Sequence, residues 1–171
     1  MAVSDGNRIV VYRDLGLVSQ VFDERTLTTL QGDLCVGHTR YSTTGSTTWE
    51  NAQPAFKTNG SRGLALGHNG NLVNTADLAA PAARRGPATT DSDLVASLLA
   101  AHLDQGLERA SLEVLPTLSG AFSFVFMDER TVFAARDPHG IRPLAIGRLP
   151  SGYCVASETC AFDVVGATYV R

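Results

Sequence analysis

The chain has 171 residues, 44% hydrophobic and 18% charged, with a formal net charge of −3. That length and balance fit one globular domain able to bury a core, and they exclude a disordered chain. Fourteen basic residues stand against seventeen acidic ones with no basic run, so nothing favours nucleic acid as a partner. No apolar stretch is long enough to span a membrane, and Met1 to Gly6 lacks the basic-then-apolar pattern of a signal peptide. Cys35, Cys154 and Cys160 form no C-x-x-C pair, which points to free thiols in a reducing cytoplasm.

Taken in chain order, Asn7 to Asp14 carries Ile9, Val10, Val11 and Tyr12 and reads as a strand. Ser19 to Leu30 has near-helical apolar spacing and is predicted as a short helix. Leu34 to Tyr41 and Leu64 to His68 are predicted strands, and the small polar run from Ser42 to Thr48 is predicted as a mobile loop. The clearest helix starts at Thr89-Thr90-Asp91-Ser92, with Leu94, Val95, Leu98, Leu99 and His102 on one face. Thr90 with Asp93 three residues on resembles a capping box. A second helix is predicted from Leu107 to Leu118, with Pro116 able to end it early. Ala121 to Met127 with Thr131 to Arg136, and Leu144 to Gly147 with Tyr153 to Ala156, are predicted hairpins. Strands, then helices, then strands is an α+β order.

Several stretches carry chemistry in combination. Gly67-His68-Asn69-Gly70-Asn71 ends an apolar strand in a predicted tight turn, which can aim one backbone N–H and one side-chain amide at a single point, as an oxyanion hole requires. Alone it reads as a plain Asn-Gly hairpin turn. Arg40 ends a strand beside the Ser/Thr/Gly loop and suits a small carboxylate, though alone it reads as a surface arginine. Asp91 by itself reads as a helix N-cap. Together these make a carboxylate clamp, an ammonium partner and an oxyanion hole, the inventory for an amino acid whose side-chain amide is attacked.

That combination and order resemble the class II glutamine amidotransferases. The stretches Ala135-Arg136-Asp137-Pro138-His139-Gly140-Ile141-Arg142-Pro143-Leu144, Ala156 to Phe162 and Gly166 to Arg171 narrow the resemblance to the amidophosphoribosyltransferase family, over essentially the whole chain. The resemblance implies a four-layer αββα sandwich of the N-terminal-nucleophile hydrolase type, here incomplete. It implies that Arg40 binds the α-carboxylate of glutamine and Asp91 its α-ammonium. Asn69, through its side-chain amide, and Gly70, through its N–H, would hold the oxyanion. Tyr41, Ser42, Thr43, Gly45 and Trp49 would belong to a loop, Tyr41 to Asn51, that closes over glutamine, with Trp49 reporting on closure.

The resemblance also implies a cysteine nucleophile at the mature N-terminus, which this sequence does not show. Residues 1–171 are therefore expected to be part of a glutamine amidotransferase domain, lacking the nucleophile segment and a phosphoribosyltransferase domain, and inactive alone. Glutamine is the implied ligand, and the parent enzyme would release ammonia for transfer to phosphoribosyl diphosphate at the first committed step of purine synthesis. No cofactor is expected here. The parent would use Mg with phosphoribosyl diphosphate and would be a homo-oligomer, with an iron–sulfur cluster left open. Cys35 and His38 should lie on opposite strand faces, and Cys154 and Cys160 read as small buried hydrophobes. His38, His68, His102 and His139 are scattered without ligand spacing, so no metal site is expected, and His139 reads as structural within a Pro-x-Gly turn. Two alternatives stay open: another class II amidotransferase, or a non-catalytic glutamine-binding or interaction module.

Overall fold

The computed structural model describes residues 1–40, 48–82 and 90–171. Two short strands open the chain, β1 (Ala2–Ser4) and β2 (Ile9–Val11), followed by helices α1 (Val18–Val21) and α2 (Glu24–Thr29). The single helix predicted from Ser19 to Leu30 is thus two. Asp23 ends the first run by adopting an extended backbone, and its carboxylate accepts the Thr26 N–H at 2.7 Å as the N-cap of the next. Strand β3 (Leu34–Val36) stops short of Tyr41 and pairs with β1, giving a three-stranded sheet of order β2-β1-β3.

Strands β4 (Ala55–Asn59) and β5 (Arg62–Leu72) form a hairpin. Here the structure corrects the sequence reading, because β5 does not turn at Asn69-Gly70. It runs on to Leu72, with Asn69 opposite Ser123 and Gly70 opposite Phe122 on β6 (Gly120–Met127). The pairing partner, invisible to local composition, carries the strand through a dipeptide that would turn if left alone.

Between β5 and β6 lie α3 (Thr75–Ala82), α4 (Asp91–Ala101) and α5 (Leu107–Val114), the last closed by a 3-10 turn at Leu115–Thr117 that contains Pro116. Strand β7 (Val132–Arg136) pairs with β6 as predicted, completing a four-stranded sheet of order β4-β5-β6-β7. Strands β8 (Ala145–Leu149) and β9 (Gly152–Ala156) form the second expected hairpin. Helix α6 (Cys160–Val165) and β10 (Thr168–Tyr169), neither predicted, follow, and β10 pairs with β8.

Alternation along β5 and β6 sets the layers. Leu64, Leu66, Phe122, Phe124 and Phe126 face the helices and pack with Leu94, Val95, Leu98, Leu99 and Leu107 in the main core. Burying side chains of the size of Phe124 and Phe126 stabilises the fold by roughly 1.5–3 kcal/mol each. Ala65, Val125 and Met127 face the opposite way and pack on Ala2, Val36, Ile9 and Val11 of the three-stranded sheet. Helices, sheet and sheet therefore stack in the order expected of an α+β sandwich. No helix among the described residues is long and apolar enough to cross a membrane.

Candidate functional site

The C-terminal half of β5, the segment after β3 and the start of α4 meet at a cleft of about 460 Å³. Its lining includes Arg40, Gln53, Asn69, Gly70, Asp91 and Arg142. All four residues singled out for binding and oxyanion stabilisation are thus brought to one place, from three separate stretches of chain. Tyr41, Ser42, Thr43 and Gly45 lie outside the described residues. Trp49 opens a 3-10 turn (Trp49–Asn51). Its indole N–H donates to the Arg13 carbonyl at 2.8 Å, and the Arg13 guanidinium lies 4.8 Å from its ring centre.

Gly70 is dictated by steric fit. Its φ of +154° is one that L side chains rarely adopt, and a β-carbon there would stand 2.1 Å from the Ala121 carbonyl oxygen and 2.8 Å from His68 Nε2. The bare backbone is what lets β5 and β6 close up beside the buried imidazole.

Asp91 is not the helix cap. Thr90 is, with its hydroxyl accepting the Asp93 N–H at 3.1 Å, while the Asp93 carboxylate pairs with Lys57 Nζ at 2.7 Å rather than completing a capping box. Asp91 is the first helical residue, and its carboxylate accepts the Leu72 N–H at 3.2 Å and the Ser92 N–H at 2.8 Å. Burial, the largest single influence, pushes its carboxyl up. The contacts with His68 and the N–H groups of Leu72 and Ser92 outweigh it and hold the group below the ordinary carboxylate value, so Asp91 is anionic at neutral pH.

Beneath Asp91 lies a polar layer that spacing in the sequence did not reveal. His68 is buried and tilted against Phe124, with ring centres 4.5 Å apart. Its Nδ1 is 3.2 Å from Ser92 Oγ and 3.6 Å from Asp91 Oδ1. Gln53 clamps the same strand residue, accepting the His68 N–H at 2.7 Å and donating to Ser92 Oγ at 3.2 Å. His38 Nε2 donates to the His68 carbonyl at 2.9 Å, so two histidines read as scattered are neighbours. Burial, foremost, lowers the His38 pKa from its ordinary 6.5, and the imidazole is neutral. Nothing in the local sequence around Gln53 or Ser92 marks them for this site.

The Asp137-Pro138-His139-Gly140-Ile141-Arg142 stretch is a loop wound around one buried carboxylate. Asp137 accepts the N–H groups of Phe122 (3.3 Å), His139 (3.0 Å), Ile141 (3.1 Å) and Arg142 (3.3 Å). Desolvation raises its pKa, but the backbone donors together outweigh that and hold it below the usual value. Ser123 Oγ donates to the Arg142 carbonyl at 3.2 Å, which fixes the loop where Arg142 lines the cleft.

No cysteine is among the residues lining the cleft. Cys35 and Cys160 are exposed and Cys154 is half-buried, which corrects the reading of Cys154 and Cys160 as buried hydrophobes. Their elements explain it: Cys160 opens the short helix α6, of which only Phe162 is buried, and Cys154 sits on the second, more exposed sheet. Because β3 ends at Val36, strand alternation does not govern how Cys35 relates to His38.

A sandwich of this order with such a cleft defines a class, and comparison with known proteins agrees. The model of the glutamine amidotransferase domain family matches residues 38–164, and the chain belongs to that family. Among its relatives are amidophosphoribosyltransferases of Mycobacterium tuberculosis, 58% identical over 181 residues, and of Bacillus subtilis, 39% identical over 175 residues. Both matches cover 100% of this chain but 34% and 37% of the relatives, so the chain spans about a third of their length. The solved glutamine phosphoribosylpyrophosphate amidotransferase from B. subtilis, complexed with ADP and GMP, superposes with a TM-score of 0.88 at 38% identity, covering 99% of this chain and 37% of that one. The fold is accordingly of the N-terminal-nucleophile hydrolase type.

Proposed function

We propose that the cleft binds L-glutamine and that the chain is the glutamine-handling part of an amidophosphoribosyltransferase. The observation that carries this is the convergence of Arg40, Asn69, Gly70 and Asp91 on one cleft. Arg40 takes the α-carboxylate through its planar, two-pronged guanidinium. Asp91, anionic, takes the α-ammonium. The side-chain amide then lies toward Asn69 Nδ2 and the Gly70 N–H, where negative charge develops on the carbonyl oxygen during attack.

In the complete enzyme a thiolate adds to that carbonyl carbon, the C–N bond breaks and ammonia leaves, and water hydrolyses the resulting thioester to glutamate. The ammonia would pass to phosphoribosyl diphosphate at the first committed step of purine synthesis, on a transferase domain outside these residues. Mg would act there with the diphosphate. Among the described residues no three His, Cys, Asp or Glu side chains form a group that could hold a metal ion. None of the cleft-lining residues supplies a thiol, and this chain alone is proposed to bind glutamine without hydrolysing it.

Calorimetric titration with L-glutamine tests the reading. Wild-type chain should bind, and Arg40→Ala and Asp91→Asn should each weaken binding at least about tenfold, the loss of one charge-assisted contact. Absence of binding, or indifference to both substitutions, would overturn it.

A further inference from the structure

The His68 imidazole is almost wholly buried, 1% exposed at its side chain, within a wall of the cleft, and its Nδ1 lies 3.6 Å from Asp91 Oδ1. A buried imidazole packed only on Phe124 would be a costly filler for a core otherwise built of leucine and phenylalanine. Its hydrogen-bond pattern gives it another use. Gln53 Nε2 donates to Ser92 Oγ at 3.2 Å, and Ser92 Oγ lies 3.4 Å from Asp91 Oδ1, which only accepts. The serine has one proton, and it is directed at the carboxylate. The remaining contact, 3.2 Å from His68 Nδ1, then requires the imidazole to donate. One protonation pattern satisfies the set: His68 Nδ1–H to Ser92 Oγ, and Ser92 O–H to Asp91 Oδ1.

We propose that His68 is a positioning residue that, through Ser92, orients the Asp91 carboxylate toward the α-ammonium group of an amino-acid ligand. This rests on the assignment of Asp91 under the proposed function. The second face of the ring fits the same role. Nε2 is buried beside Gly70, where no β-carbon intrudes, and has no hydrogen-bond partner among the described residues that would compete with Ser92 for the ring. Burial raises the Asp91 pKa, and contact with His68 leads the influences that outweigh it and keep the carboxylate charged for a cation.

The discriminating probe is a ligand pair, L-glutamine and its deamino analogue 4-carbamoylbutanoate, titrated into the full chain. A positioning role through Asp91 affects only the ligand that carries the ammonium. Ser92→Ala and His68→Leu should each lower glutamine affinity about tenfold while leaving the analogue within about twofold. His68→Asn, whose amide N–H falls near the position of Nδ1, should retain most of the glutamine affinity. Ser92→Ala removes a single hydroxyl and keeps the test open if His68→Leu does not fold. Equal loss for both ligands would make the layer merely structural, and no loss for either would remove it from binding; both outcomes overturn the inference. A wild-type chain that binds the two ligands equally would instead overturn the Asp91 assignment itself, and this inference with it.

Discussion

Gly70 on β5 lies diagonally across from Ala121 on β6, so close that a β-carbon on Gly70 would stand 2.1 Å from the Ala121 carbonyl oxygen. The obstacle is backbone, not a side chain that could swing away. Gly70→Ala should therefore cost about 3 kcal/mol through overpacking and an unfavourable φ. For a chain of this size that corresponds to a fall in Tm of roughly 6–12 °C by differential scanning calorimetry. An unchanged Tm would mean the two strands are further apart in solution.

Arg40→Lys separates charge from geometry. The ammonium keeps the charge but loses the planar fork, so glutamine should bind about tenfold more weakly with the fold intact. Calorimetric titration beside a far-ultraviolet circular dichroism spectrum makes the comparison. Full affinity in the lysine variant would reassign the carboxylate-binding group.

His38 gives a pH dependence with a definite sign. Its folded pKa lies below 6.5, chiefly because burial disfavours the cation. Between the folded value and about 6.5 the unfolded chain binds more protons, so stability rises with pH in that window. The full contribution is present above about pH 6.5 and is lost as the pH falls. Thermal unfolding followed from about pH 8 down to pH 5 should show Tm dropping below pH 6.5, and His38→Gln should flatten that drop. Identical profiles would place the proton-linked group elsewhere.

Asp137 tests how the loop that bears Arg142 is held. Asp137→Asn puts an N–H₂ donor among the backbone donors of Phe122, His139, Ile141 and Arg142, all of which need an acceptor. The variant should have a lower Tm, and amide hydrogen exchange should accelerate from residue 139 to 142. If exchange there is unaltered, the carboxylate is not the organising centre of the loop.

Reactivity of the thiols bears on the chemistry directly. A glutamine-analogue diazoketone should give no stoichiometric, glutamine-protected label on Cys35, Cys154 or Cys160, and glutamate release from glutamine should be undetectable. The exposed Cys35 and Cys160 should still react with a general alkylating agent, with no protection by glutamine. Protected labelling of any one of the three would reveal a nucleophile near the cleft.

The resemblance to a known family singled out Arg40, Asn69, Gly70 and Asp91 as candidates, and the sequence by itself determined the α+β order, both late hairpins and the α4 helix with its Thr90 cap. These are local: side-chain periodicity, capping and motif spacing lie within a few residues of one another. Only the tertiary structure decided that Asn69-Gly70 lies inside a strand, because the pairing of the dipeptide with Ser123 and Phe122 some fifty residues on overrides its turn preference. It also decided that Asp91 is not the cap, since the Thr90 hydroxyl takes the Asp93 N–H while Asp91 reaches Leu72 on a different element. Gln53, Ser92, His38 and His68 form one layer only once a strand, a helix start and two loops are packed together. Their hydrogen bonds join residues 15 to 39 positions apart, a range that periodicity along the chain does not reach.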